Sequence, residues 1–291
     1  MMIDIIVPTY NRPNDIEKFV SEIQKQNYID YHVYIIDDCG KEPIENLIPK
    51  NSFFTYCRLN ENKGQAFARN VAIGMGHGDI IVSLDDDAWF EDTDGLMKIQ
   101  RYFAEYPQLG CLMFDVRTPA EDYLSSIHHI KENAALIGSH ITCGCAYSRK
   151  AIDRIGGFGG FLHSGAEETD VTLKLIIEKF ELRLAKNIKV FHNYVPSVRS
   201  KEWYRLLRFN TTRNDLLIVL MRYPLLKVIP YFLGKYFSHV YYSFKTSRDR
   251  FFAGLYTLMA LPAAFFKFPV ALKNRKALTN IEFANWIKIR W

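Results

Sequence analysis

The sequence predicts an α/β fold: a Rossmann-like, mostly parallel, doubly wound sheet flanked by helices, followed by a helical C-terminal extension. Three observations lead there. Apolar runs of strand length alternate with segments of helical periodicity from Ile3 to about Thr118. Several of those strands end in acidic loops, which is where open α/β sheets bind ligands. From Trp203 onward the alternation gives way to long helical stretches with aromatic and aliphatic faces studded with Arg and Lys.

The first unit sets the pattern. Ile3 to Val7 reads as a fully buried parallel strand. The polar loop Pro8-Thr9-Tyr10-Asn11-Arg12-Pro13 ends in a proline suited to a first helical turn, and Ile16, Phe19, Val20 and Ile23 recur on one face behind it. Val33 to Ile36 is a second strand ending in Asp37-Asp38, and Phe53 to Leu59 a third. A turn at Asn60 to Gly64 leads into a helix over about Gln65 to Ile73, which glycines at 74, 76 and 78 close. Asp79 to Leu84 then delivers Asp85-Asp86-Asp87, with a helix near Leu96 to Ala104 and a strand at Leu109 to Val116 beyond. Residues 119 to 142 read as an insertion or acceptor-side region. Cys143 to Ser148 predicts a strand and Arg149 to Ile155 a short helix stopped by Gly156-Gly157. The loop Phe158 to Gly165, which includes His163, precedes Ala166-Glu167-Glu168-Thr169-Asp170. Helical spacing resumes from Val171 to Lys179, and Leu182 to Phe191 holds one strand or two before His192.

A chain of 291 residues accommodates one large α/β domain and an appendage. The expected division is an α/β body over 1–198, in two parts to about 118 and over 119–198, and a basic, aromatic extension over 199–291. Charge follows the same line: residues 199–291 hold 17 Lys and Arg against 4 Asp and Glu, a net +13, while residues 1–198 hold 20 against 28, a net −8. An acidic body with a basic tail points to a surface that meets anions, most simply phospholipid. Phe251 to Phe266 is 16 uncharged residues containing Pro262, short of the roughly 20 that span a bilayer, so an in-plane or re-entrant segment is expected. The start of the chain has no basic stretch or cleavage site of a signal peptide, and 5 unevenly spaced Cys suggest a reducing compartment. Cys143-Gly144-Cys145 invites a metal reading, but no second Cys or His pair follows at zinc-site spacing, and two small buried residues beside a glycine turn are the preferred interpretation.

The chemistry starts from Asp85-Asp86-Asp87. Three adjacent carboxylates at the mouth of an apolar strand repel one another, and nothing about folding asks for them, so a cation is expected there. Asp37-Asp38, Glu167-Glu168 and Asp170 lie at other strand ends and can converge on the same rim. A hard divalent cation, Mn²⁺ or Mg²⁺, takes oxygen ligands and completes its shell with substrate phosphate. Alternate residues leaving a strand point the same way, so Asp85 and Asp87 can face one ion, and His192 can add an imidazole. Each element also has a plain structural reading: Asp37-Asp38 as a turn, Glu167 to Asp170 as an acidic first helical turn, His192 as an interior histidine.

In order, Val7-Pro8-Thr9-Tyr10-Asn11-Arg12, Ile36-Asp37-Asp38, Asn62-Lys63-Gly64 with Ala68-Arg69-Asn70, Leu84-Asp85-Asp86-Asp87-Ala88, and Gly157-Phe158 followed by Glu167-Glu168-Thr169-Asp170 resemble the motifs of family 2 inverting glycosyltransferases with the GT-A fold. The resemblance covers about residues 3 to 195 and implies a catalytic domain over 1–198, with a nucleotide-sugar half to about 118 and an acceptor half over 119–198. It implies that Pro8, Tyr10 and Arg12 line the nucleotide pocket, that Asp38 holds the base or ribose, and that Lys63 and Arg69 approach the nucleotide. It places Asp85 and Asp86 against ribose and sugar, with Asp87 on the metal and His192 as a late metal contact. The acidic pair of the family usually reads Glu-Asp with the second member as general base; here that position is Glu168, with Glu167 and Asp170 as accessory carboxylates.

The expected function is therefore metal-dependent transfer of a sugar from a UDP- or dTDP-linked donor to a saccharide or lipid-linked acceptor hydroxyl, with inversion, in polysaccharide or glycolipid assembly. The expected location is cytoplasmic, peripheral on an anionic inner membrane face, with no nucleic-acid partner. Arg205 or Arg208 could reach a lipid diphosphate, or their helix could simply pack on the catalytic domain. Two other classes stay in view: a metal-dependent nucleotidyltransferase, which would be expected to carry a glycine-rich phosphate loop after the first strand, and a non-catalytic membrane-associated scaffold, which would leave the carboxylates unexplained.

Overall fold

Every residue of β1 (Ile3–Thr9) is buried, as a central parallel strand requires. The computed structural model describes residues 1–119, 130, 132–162, 164–194, 200–246 and 249–290. Part of the expected insertion (120–129 and 131), His163 and the expected boundary at 198/199 lie outside the described residues. After β1 come α1 (Pro13–Ile23), burying Ile16, Phe19, Val20 and Ile23, then β2 (Tyr31–Asp37), β3 (Phe54–Arg58), α2 (Gln65–Met75) and β4 (Ile80–Leu84). Strands pair in parallel in the order β3-β2-β1-β4, so the carboxyl ends of β1, β2 and β4 open on one rim.

Beyond β4 the sheet is mixed. β5 (Ala88–Phe90), α3 (Gly95–Glu105), β6 (Leu109–Arg117), β7 (Ala135–Leu136), β8 (Gly144–Ser148), α4 (Arg149–Ile155), α5 (Glu167–Ile177) and β9 (Glu181–His192) follow. β8 inserts antiparallel between β4 and β6, β9 runs parallel to β6, and β5 and β7 pair antiparallel with β9. The start of α5 differs most from the sequence expectation. α5 starts at Glu167, four residues before its apolar periodicity, because Glu167, Glu168 and Asp170 fill the first turn, where acidic residues complement the helix dipole. Leu182 to Phe191 belongs to one long strand whose register against β6 shifts between Ala185 and Lys189.

The C-terminal helices are α6 (Lys201–Arg222), α7 (Leu225–Thr246), α8 (Arg250–Phe266), α9 (Phe268–Lys273) and α10 (Asn280–Ile289). They build a second core around Leu216, Val219, Tyr223, Phe283 and Trp286, which also takes in Leu162 and Leu173 from the region of α5. Arg222 Nε donates to Asp170 Oδ1 at 2.7 Å and Trp286 Nε1 to the Gly138 carbonyl at 2.7 Å, so the helices clasp the sheet domain. Among the described residues no helix is long and apolar enough to cross a membrane.

Candidate active site

The acidic triplet leaves β4 in a tight turn, the Ala88 N–H donating to the Asp85 carbonyl at 3.1 Å. β5 then pairs with the end of β9, Ala88 opposite His192, and the Asn193 N–H donates to the Asp87 carbonyl. This short pairing sets the imidazole of His192 beside the triplet: Nε2 lies 3.1 Å from Asp87 Oδ1 and 3.9 Å from Asp85 Oδ2. Cys143, in the turn just before β8, presents its sulfur to the same spot.

Cations already meet the triplet. Arg12 Nη1 bonds Asp86 Oδ1 at 2.8 Å and also pairs with Asp87 Oδ2, while the Thr9 hydroxyl donates to Asp86 Oδ2 at 2.8 Å. Burial pushes the Asp86 carboxyl up to about 7 against the pull of Arg12. Burial also opposes ionisation of Asp87, but hydrogen bonding and charge from His192 and Arg12 outweigh it and hold that carboxyl below its ordinary range. His192 resists burial and is held up at about 11 by Cys143, Asp87 and Asp85. Fully buried Arg69, from α2, donates from Nη2 to Asp85 Oδ1 at 2.5 Å and from Nε to Ser83 Oγ at 3.0 Å; its Nη1 has no hydrogen-bond partner.

Ser83 carries the connection onward. Its hydroxyl donates to the Thr142 carbonyl at 2.7 Å, and the Thr142 hydroxyl donates to Glu168 Oε1 at 3.2 Å. Glu168 is half-buried, and burial with the neighbouring Glu167 charge pushes its carboxyl up to about 8, with Arg69 acting in the other direction. Glu167 is fully buried, accepts from Gln65 Nε2 and leaves Oε2 without a hydrogen-bond partner. The loop that presents this pair is strained and tethered. Gly165 (φ +87) and Ala166 (φ 65) are both left-handed, and a Cβ on Gly165 would sit 2.5 Å from Thr211 Oγ1 of α6. The Asn214 amide on the same helix donates to the carbonyls of Leu162, Ser164 and Gly165 at 2.5, 3.0 and 2.7 Å.

The residues expected from the sequence therefore fall into two groups. Arg12, Arg69, Asp85, Asp86, Asp87, His192, Glu167 and Glu168 are joined by a connected set of bonds and charges. Asp38 stands at the rim, its oxygens accepting from the backbone N–H groups of Lys63 and Gly64 at 2.8 Å. Asp37 serves the turn, accepting from Gly40 N, Tyr56 and Arg58. Pro8 is buried at the end of β1 and Tyr10 is exposed beside it. Lys63 pairs with Glu61 and lies over Phe67, and Asp170 pairs with Arg222 and Lys174, so neither joins the triplet. Arg205 is held by Asp249 at the N-cap of α8 and stacks on Phe252 of that helix. Thr9, Gln65, Ser83, Thr142, Cys143 and Asn214 were not anticipated as site residues; each is a small or uncharged group whose partner lies far away in the sequence.

Asp87, 3.1 Å from His192, and Asp85, 3.9 Å from it, offer with that imidazole carboxylate and nitrogen ligands that fit a hard divalent cation. Comparison with known proteins agrees with the architecture. Residues 4–169 match the family described as Glycosyl transferase family 2. An uncharacterized glycosyltransferase of Haemophilus influenzae is 35% identical over 191 residues, 61% of this chain and 63% of that protein, so this chain spans less than two thirds of that relative. Among solved structures, S. aureus TarS 1-349 superposes with a TM-score of 0.66 at 18% identity, covering 90% of this chain and 81% of that one. The mannosyltransferase PcManGT from Pyrobaculum calidifontis, solved in complex with GDP-Man and Mn²⁺, gives 0.62 at 18% identity, with coverage of 91% and 75%. At such identities these likenesses establish the GT-A fold.

Proposed function

This chain belongs to glycosyl transferase family 2, and from that premise we propose that it moves a sugar from a UDP- or dTDP-linked donor to a saccharide or lipid-linked acceptor hydroxyl with inversion, in the assembly of a polysaccharide or glycolipid. The observation that supports this reading is the link from the triplet through Arg69, Ser83 and Thr142 to Glu168, a carboxyl of raised basicity tied to the same strand end. Glu168 takes the proton of the acceptor hydroxyl as that oxygen attacks the anomeric carbon. A single in-line displacement inverts that carbon. Asp87 and His192 would hold a Mn²⁺ or Mg²⁺ ion, which when bound supplies charge stabilisation to the departing nucleoside diphosphate. Arg69 holds Asp85 in place through a charged bond, and Asp86, kept by Thr9 and Arg12, faces ribose and sugar with it. Pro8, Tyr10, Arg12 and Asp38 line the nucleotide side, Lys63 approaches it from the loop before α2, and Glu167 and Asp170 support the helix that carries Glu168.

The same proposal divides the chain at about residue 198 and gives the C-terminal helices a membrane. α7 and α8 expose Leu226, Ile229, Phe237, Phe251, Met259 and Phe266, the last at 87%. Exposed Lys227 and Lys273 lie near this face in sequence. Exposed apolar helix surface with flanking cations suits in-plane attachment to an anionic, cytoplasmic membrane face. The test of the function is a screen of the purified full chain against UDP-, dTDP- and GDP-sugars with and without Mn²⁺ or Mg²⁺, following nucleoside diphosphate release. Metal-dependent release from a nucleotide-sugar is expected. Pyrophosphate release from nucleoside triphosphates with no turnover of any nucleotide-sugar would replace this reading with nucleotidyl transfer.

A further inference from the structure

We propose that Cys143, His192 and Asp85 form a thiolate site for a soft divalent cation, Zn²⁺ foremost, and that occupation of this site blocks transfer. The three ligand atoms, Cys143 Sγ, an imidazole nitrogen and a carboxylate oxygen, all lie within 4.8 Å of one another. Ligands around one tetrahedral zinc stand roughly 3–4 Å apart, given Zn–S near 2.3 Å and Zn–N or Zn–O near 2.0–2.2 Å, so closure needs side-chain shifts of only about 1 Å. Cys143 and His192 are each 5% exposed, whereas the Asp85 side chain is 25% exposed and leaves an entry path.

The backbone fixes all three positions. Leu84 pairs with Gly144, which puts Cys143 beside the residue that follows β4, and Ala88 pairs with His192 across β5 and β9. Arg69 engages Asp85 Oδ1, leaving Oδ2 as the oxygen on the His192 side, 3.9 Å from Nε2. Asp87 Oδ1, 3.1 Å from the same nitrogen, or a water can complete a fourth position. A second cluster, Cys111, Cys145 and His140, lacks this character, because both His140 nitrogens are already bonded, to Thr172 and to Tyr147.

The ligand chemistry decides which ion is retained. Mg²⁺ and Mn²⁺ favour oxygen, Zn²⁺ binds a mixed site of sulfur, nitrogen and oxygen far more tightly, and affinity rises from Mn²⁺ toward Zn²⁺ even without sulfur. The thiol proton and the proton on the binding nitrogen of His192 both leave to solvent as the Zn–S and Zn–N bonds form. Zinc so held withdraws His192 and Asp85 from the donor complex. The inference takes only its consequence for turnover from the proposed function; the ligand set stands on geometry.

The test uses the full chain without donor. Titration with Co²⁺ should produce a near-ultraviolet thiolate-to-cobalt charge-transfer band and the intense visible bands of a tetrahedral site, both removed by one equivalent of Zn²⁺. Cys143→Ala, or Cys143→Ser if the alanine variant does not fold, should lose the charge-transfer band, and Cys57→Ala should keep it. No band in the unmodified protein, or an undiminished band in the folded Cys143 variant, overturns the site. In a Mn²⁺-supported transfer assay the Cys143 variant should need at least about tenfold more Zn²⁺ for half-inhibition, as loss of a metal-site group typically costs 10–100-fold in affinity; equal sensitivity overturns the blocking role. Because the optical titration needs no turnover, failure of the sugar-transfer reading leaves its result intact.

Discussion

Glu168→Gln removes the proposed base while preserving shape and the Thr142 contact. With its carboxyl pushed up to about 8 by burial and by Glu167, only about one-tenth of the unmodified enzyme is competent at pH 7, and about nine-tenths at pH 9. The active form is the ionised one, so kcat/KM should climb about tenfold between those pH values and level off above them. The glutamine variant should lose roughly 10²–10⁴ in rate and show no such limb in what remains. Stability runs the opposite way: a carboxyl raised from its ordinary value of 4.5 contributes fully below that value and loses the contribution as pH rises through about 8. Glu168→Gln should therefore be the more stable protein at pH 9. A second variant, Glu167→Gln, takes away the neighbouring negative charge and should move the limb to lower pH. The assay is initial-rate kinetics with a nucleotide-sugar found by the screen above, across pH 6 to 10 at fixed ionic strength, with unfolding midpoints measured in parallel. Retention of more than about a tenth of the activity by Glu168→Gln, or an unchanged limb in its residual activity, would refute the assignment, because general-base catalysis is worth more than that.

Asp87→Asn should weaken Mn²⁺ binding by at least roughly 10–100-fold and remove the thermal stabilisation that Mn²⁺ with nucleoside diphosphate gives; an equal shift in variant and parent would clear Asp87 of metal binding. Asn214→Ala leaves three loop carbonyls without their amide donor and should cost about 1–3 kcal/mol, with a fall in kcat larger than any change in donor KM, read by denaturant melts and kinetics. Binding to vesicles of anionic lipid should fall steeply with salt. Replacing Lys227 and Lys273 together by Gln should lower it roughly 30-fold at about 1 kcal/mol per charge, and salt-independent binding would point away from an electrostatic contact.

The βα units were legible because they obey strong local rules. β1 is apolar but for Asp4 and Thr9 and sits mid-sheet, and α1 buries the four residues that its periodicity marks. The triplet stood out for the opposite reason, since adjacent carboxylates break those rules. What could not be read is pairing at a distance. Arg12 and Asp86 are 74 positions apart, and only the parallel register of β1 and β4 makes them neighbours. The antiparallel insertion of β8 follows a stretch with weak periodicity, and with it went the contact of Thr142 with Glu168 and the place of Cys143 beside His192. β5 is three residues long, too short to declare itself, yet it delivers His192. The helical extension was legible as helix and as basic surface, while Asn214 and Arg222 gave no hint that they grip the loop and first turn of α5.

That grip bears on how such a chain can be altered or inherited. The family match ends at residue 169, within the first turn of α5, whereas the amide that suspends the preceding loop comes from residue 214 and the guanidinium that anchors Asp170 from residue 222. A graft that exchanged everything after β9 for another protein's tail would keep each recognised motif and still unhook the loop bearing Glu168. Recombination between relatives should therefore succeed when α6 travels with the catalytic half and only the later helices are swapped, which leaves the outer surface free to diverge while the reaction stays intact.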